Sequence, residues 1–168
     1  MSKLVSVFIE IEKNSNQKFE YDKNENILKL DRVLPYPFSY PYSYGFIPNT
    51  LALDGDELDV LVISDKVYPS GTFLQGYIIG ALVMEDEKGM DEKILILPSE
   101  EYDEIKEIKE ISQLDHYILE DLEWFFTNYK KHEKQKWSKV EGFISSSKAI
   151  ECFEKSMIRF LDQGELPV

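Results

Sequence analysis

Cysteine occurs once, at Cys152, so the chain can form no internal disulfide and no cysteine-based zinc site. That usage suits a reducing compartment. Basic residues are also scarce. Lys and Arg number 19 against 32 Asp and Glu, which leaves a formal charge of −13 and a sequence pI near 4.6. Such a field repels phosphate backbones and anionic lipid surfaces and argues against a general nucleic-acid or membrane binder. Long apolar runs are missing as well. The longest aliphatic stretch, Val60 to Ile63, is far short of the roughly 20 residues needed to span a bilayer. Glu10 and Glu12 interrupt the N-terminal apolar segment, and no small-residue cleavage site follows it. A soluble, cytoplasmic protein is expected.

What is present is globular: 168 residues, of which 43% are hydrophobic and 13% aromatic. That length suits one domain spanning residues 1–168, able to bury a core without a disulfide or structural metal. The first two thirds read as strands. Residues 4–12 alternate, with Val5, Val7, Ile9 and Ile11 on one side and Ser6, Phe8, Glu10 and Glu12 on the other. Lys18–Asp22 alternates again and leads through a hairpin loop at 23–26 into 27–31. Further strands are expected at 59–63, 72–84 and 93–97. Many short strands favour a closed sheet, because closure removes exposed edges.

The last third changes period. Leu114, Ile118, Leu122, Phe125, Phe126 and Tyr129 follow helical spacing behind Asp115 as cap. A second amphipathic helix carries Ala149, Ile150, Phe153, Met157 and Phe160 after the serines at 145–147. Residues 100–110, with Ile105, Ile108 and Ile111, suggest a shorter helix or turn. The fold class is therefore α+β, a small β-barrel flanked by two helices.

Between Pro35 and Pro48, four prolines oppose a regular strand or helix. The alternating Tyr36, Phe38, Tyr40, Tyr42, Tyr44 and Phe46 suit an ordered, extended loop packed on the barrel. They read first as plain core aromatics, while the four tyrosines also offer phenols able to hydrogen-bond an anion.

The densest chemistry lies at Asp54-Gly55-Asp56-Glu57-Leu58-Asp59-Val60-Leu61-Val62. Crowded carboxylates repel and raise one another's pKa unless cations neutralise them, and oxygen-only donors select hard ions. Asp59 runs straight into an apolar strand, which gives it a rigid base. A calcium-binding EF-hand loop fails on spacing, since Asp59 falls where that loop needs glycine. A second acidic cluster, Met84–Lys93, reads as a hairpin loop that could share the same rim. Lys130, Lys131, Lys134, Lys136 and Lys139 gather at the end of the first long helix, either as a solvated helix end or as an anion clamp with Tyr129. Arg32 is placed for bidentate phosphate binding. Together these point to metal-assisted phosphoryl chemistry. His116 and His132 lack metal-ligand spacing, and Cys152 reads as core. A silent OB-type binding module and a hydrolase of another phosphoanhydride are the rival readings. Tyr129, Trp137 and the lysines could stack and attract a nucleic acid, but the net charge opposes that.

The acidic motif resembles the signature of the soluble family I inorganic pyrophosphatases, with Glu57 where that family usually has proline. Other blocks match in order: Phe8–Ile11, Lys18–Asp22, Leu30-Asp31-Arg32, Tyr44–Pro48, Asp86–Lys93 and Tyr129-Lys130 through Val140. The resemblance implies a closed five-stranded barrel of OB type and hydrolysis of pyrophosphate to two phosphates by Mg²⁺-activated water. It implies several Mg²⁺ ions per site, with Mn²⁺ able to substitute. By motif, Asp54, Asp59, Asp86 and Asp91 would hold metal, with Glu20 acting nearby, and Asp56 would be the general base. Lys18, Arg32, Tyr44, Lys93, Tyr129 and Lys130 would bind the phosphates. Homo-oligomers are implied, hexamers rather than dimers, with no nucleic-acid or membrane partner. Glu57 replaces a rigid proline with a negative charge, so an altered Mg²⁺ dependence with retained activity is expected.

Overall fold

The computed structural model describes residues 2–104 and 108–164, so the expectation at Ile105 lies outside the described residues. Eight strands and three α-helices follow one another in the described residues, with a short 3-10 turn at Ile111–Gln113 before the second helix. They are β1 (Leu4–Ile11), β2 (Gln17–Asp22), β3 (Ile27–Val33), β4 (Ser43–Ile47), β5 (Leu58–Val62), β6 (Phe73–Asp86) and β7 (Gly89–Pro98), then α1 (Ser99–Glu104), α2 (His116–Asn128), β8 (Ser138–Ser145) and α3 (Ser146–Gly164).

Strands β1, β4, β5, β7 and β6 pair in that order, and β6 pairs back onto β1. Five strands thus close a ring in which only β5 and β7 run parallel, which is the OB arrangement. Strand β8 adds to the outside of β6, while β2 and β3 form a separate two-stranded arm. Helix α2 packs its Leu122, Phe125 and Phe126 into one buried cluster, and α3 packs Ala149, Ile150 and Phe153 into another. The strands between them alternate. Val60, Val62, Ile94 and Ile96 join the α3 cluster; Leu61, Leu95 and Leu97 join the α2 cluster.

The first strand departs from the expected alternation. Val5, Val7 and Ile9 lie in the α3 cluster, but Ile11 lies in the α2 cluster. The cause is a bulge: Ile9 pairs with Gly45 and Ile11 with the adjacent Tyr44, so Glu10 is an extra residue. A bulge re-aims the side chains that follow it. Gly45 is obligatory at this crossing, because a Cβ there would sit 1.8 Å from the Phe8 carbonyl oxygen.

Two strands arise where none was expected. The prolines at 41 and 48 flank β4 rather than interrupt it, and Tyr40, Tyr42 and Tyr44 are buried. Tyr36, by contrast, is 96% exposed. Strand β8 begins inside the lysine-rich stretch at Ser138, so Lys130–Lys136 occupy turns after α2 and Lys139 is a strand residue. The acidic stretch Met84–Lys93 is not an open loop. Strand pairing runs from Met84↔Asp91 to Asp86↔Gly89, leaving only Glu87 and Lys88 to turn the chain. Asp115 takes the N-cap of α2 without a side-chain bond. The N-terminus of α3 receives Glu110, which accepts from the Ser146 backbone N–H at 3.0 Å.

Candidate active site

At one end of the ring, an open cleft of about 720 Å³ is bounded by ring strands, the β2–β3 arm, the 54–57 loop and the turn after α2. All twelve residues proposed from sequence line it: Asp54, Asp56, Asp59, Asp86, Asp91, Glu20, Lys18, Arg32, Tyr44, Lys93, Tyr129 and Lys130. Of the five clustered lysines, Lys130 and Lys136 reach the cleft; Lys131, Lys134 and Lys139 are not among its lining residues.

The deepest wall follows from parallel pairing. Asp59 of β5 sits opposite Lys93 of β7, and Asp91 shares Lys93's face two residues earlier. This is the face that buries Leu61, Leu95 and Leu97, so the apolar stripe turns charged where it meets the cleft. Lys93 is 2% exposed, and its Nζ donates to Tyr44 Oη at 2.7 Å, Asp59 Oδ2 at 3.0 Å and Asp91 Oδ2 at 3.1 Å. Burial works against the charged ammonium and lowers its pKa. Asp59 and Asp91 outweigh that cost and hold the lysine charged. Burial likewise keeps Tyr44 a neutral phenol, its pKa well above the ordinary value.

A second wall joins the β6–β7 turn to the chain after α2. Lys130 Nζ donates to Asp86 Oδ2 at 3.0 Å and Glu87 Oε2 at 3.3 Å. Burial would raise the Asp86 carboxyl, but the Lys130 bond overrides it and holds the group below its usual range. Tyr129 is fixed beside Lys130 by stacking on Phe125, ring centroids 5.2 Å apart, and by an edge contact with Phe126 at 5.4 Å.

The arm makes the third wall. Lys18 and Arg32 face each other across β2 and β3, and a bulge at Asp31 brings its carboxylate to both. Asp31 Oδ2 lies 3.0 Å from Lys18 Nζ and 3.2 Å from Arg32 Nε. Arg32 also pairs with Glu133. In the loop, Gly55 adopts φ +93°, a left-handed geometry that favours glycine, and the Asp56 N–H donates to Asp54 Oδ1 at 3.0 Å. Asp56 itself is exposed to water.

Glu10 belongs to the cleft and was not proposed from sequence. It is 9% exposed and accepts the Tyr21 N–H at 2.8 Å. Burial, opposed by that bond and reinforced by Asp59 and Glu20, pushes its pKa up to about 8. The available signal was an acid inside the apolar run Phe8-Ile9-Glu10-Ile11. The bulge that turns it into the cleft is a pairing property and leaves no local mark.

Among the described residues no three acidic, imidazole or thiol groups form a finished metal cage. The donor chemistry nevertheless fits hard cations. Burial, with Asp91 and Asp56 adding repulsion, raises the Asp54 carboxyl, and burial with Asp59 raises Asp91 despite Lys93. Burial is the larger cause in both, so these carboxyls sit in a dry site beside other acids, the setting that a bound cation would relieve. Asp54, Asp59, Asp86 and Asp91 offer only oxygen, and no histidine or cysteine lines the cleft.

An acid-rich rim interleaved with Lys, Arg and Tyr, set on a closed five-stranded barrel, defines a phosphate-processing hydrolase. The inorganic pyrophosphatase profile matches residues 7–161. An inorganic pyrophosphatase of Helicobacter pylori is 45% identical over 152 residues, covering 90% of this chain and 88% of that one. One from Saccharolobus solfataricus is 41% identical, with 92% and 91% covered. A solved H. pylori inorganic pyrophosphatase superposes with a TM-score of 0.91 at 42% identity, covering 95% of this chain and 94% of that one. The chain belongs to the inorganic pyrophosphatase family. No helix among the described residues is long and apolar enough to cross a membrane.

Proposed function

We propose that this chain hydrolyses inorganic pyrophosphate to two phosphates in the cytoplasm, using several Mg²⁺ ions for which Mn²⁺ can substitute. The observation that supports this reading best is convergence: carboxylates and cations from distant stretches of sequence line one cleft. Asp54, Asp59, Asp86 and Asp91 would hold the metals, with Glu20 nearby. Bound divalent ions supply acidified water and charge neutralisation at the departing phosphate.

The remaining chemistry belongs to the chain. Asp56, which is water-exposed on a loop pinned through Asp54, takes the proton of the attacking water in this reading. Lys93, Lys130 and Arg32 stand already charged, each held by carboxylates that a bound anion can displace. Tyr44 and Tyr129 add neutral phenols, which burial keeps protonated. Lys18 completes the phosphate-binding set from the arm. The reading extends to a homo-oligomer, a hexamer rather than a dimer.

Phosphate release from pyrophosphate, with and without Mg²⁺, tests the proposal. Release should require the metal and should exceed that from nucleotides; the reverse preference would replace pyrophosphate with another anhydride. Asp56→Asn should slow turnover about 10²- to 10⁴-fold with an unchanged melting temperature. Near-normal turnover would remove Asp56 from its role.

A further inference from the structure

Glu57 occupies the acidic-loop position at which the resembled family usually has proline. Its Oε2 lies 2.6 Å from Nζ of Lys23, in the turn of the β2–β3 arm. The glutamate side chain is 16% exposed and the lysine 64%. The contact joins two parts of the cleft that no strand pairing connects.

A two-stranded hairpin is marginally stable by itself and depends on docking. The middle of the arm is docked: Tyr21 packs on Phe8 with centroids 5.0 Å apart, and its N–H meets Glu10. The base is docked too, through the Asn14 N–H to the Tyr40 carbonyl, the Tyr40 N–H to the Ser15 carbonyl, and Arg32 to Glu133. The turn is different. Asn24 and Glu25 donate their amides to Asp22 Oδ1, and Lys29 pairs with Asp22 and Glu25, all within the arm. Among the described residues, the turn's ion pair that leaves the arm is Lys23–Glu57.

The loop at the other end is already held by its backbone, with Ala52 N–H to the Asp56 carbonyl at 2.7 Å and Leu51 N–H to the Ser156 carbonyl at 3.0 Å. A proline at 57 would stiffen this loop further but could not reach Lys23. The glutamate instead makes the loop an attachment point for the arm that carries Lys18 and Arg32.

We propose that the Glu57–Lys23 ion pair is a latch that fixes the arm over the cleft, making both side chains positioning residues for the phosphate-binding Lys18 and Arg32. The latch rests on the pyrophosphate reading for its kinetic consequence only. It is tested with Lys23→Met, Glu57→Gln and the double variant. In metal-free protein, amide exchange at Tyr21, whose N–H crosses from the arm to Glu10, should quicken about two- to fivefold in each single variant, the span of a partly exposed ion pair. The KM for pyrophosphate should rise by a similar factor with kcat held, because arm cations bind substrate and transition state alike. The double variant should add nothing to either single one.

Glu57→Pro should match Glu57→Gln in arm exchange despite its stiffer loop. Additive effects, opposite signs for the two single variants, or unchanged exchange would overturn the latch. Opposite signs would mean that Glu57 acts only through its charge on the neighbouring carboxylates. The exchange measurement needs no turnover, so it decides the latch even if pyrophosphate is not the substrate.

Discussion

The ring wall and the arm wall of the cleft present the same side-chain chemistry in opposite physical settings. Lys93 on the ring is buried, bonded to two carboxylates and a phenol, and seated on strands packed from both faces. Lys18 on the arm bonds Asp31 at a similar distance, but its side chain is 24% exposed and its two-stranded sheet lies outside the ring. The ring wall is preorganised because moving it would unpack the core. The arm wall owes its position to a few contacts, most of them with water access, and is the part that can adapt to an arriving anion.

The same substitution made on each wall should expose that contrast. Lys93→Met leaves Asp59 and Asp91 without their cation in a buried setting and should destabilise the fold by about 3–5 kcal/mol. A loss of stability under about 1 kcal/mol on urea unfolding would mean that the wall is not preorganised by this pair.

Glu10, which bridges the two walls through Tyr21, tests the contrast by pH. Its folded pKa of about 8 lies above the ordinary 4.5, so the folded state keeps a proton that the unfolded chain releases between those values. Stability from this group is complete below about pH 4.5 and is lost as pH rises towards 8, at up to about 1.4 kcal/mol per pH unit. Glu10→Gln should flatten that slope in metal-free protein. Parallel urea midpoints for the variant and the parent between pH 5 and 8 would show that Glu10 is not held protonated.

The smallest effect is expected at Lys18→Met, which should cost less than about 1 kcal/mol of stability because its partner is solvent-screened. Its consequence should appear in the KM for pyrophosphate. A stability loss equal to that of Lys93→Met would erase the distinction between the walls.

Much of this was readable in the sequence, for definable reasons. The ring strands with clear alternation, the hairpin at 17–33 and the helices α2 and α3 all carry a local period that matches their burial. Strand β4 was hidden because prolines mark its ends and its aromatics read as a loop. Strand β8 was hidden because Ser138–Ser145 is mostly half-buried along its length and follows a lysine cluster. The twelve candidate residues that share the cleft were nameable because the blocks resembling the family stand in the same order along the chain. Glu10 was not, since its direction depends on a bulge against β4.

Sequence alone determined the periodicities, the excess of acid, the solitary cysteine and the side chains available for chemistry, because each is a property of neighbours along the chain. Tertiary structure decided which of those side chains meet. Parallel pairing set Lys93 between Asp59 and Asp91, the bulge turned Glu10 into the cleft and carried Ile11 to the other core, and docking of the arm brought Lys23 to Glu57. These are register effects between distant strands, where a shift of one residue reverses every side chain, and no local pattern encodes them.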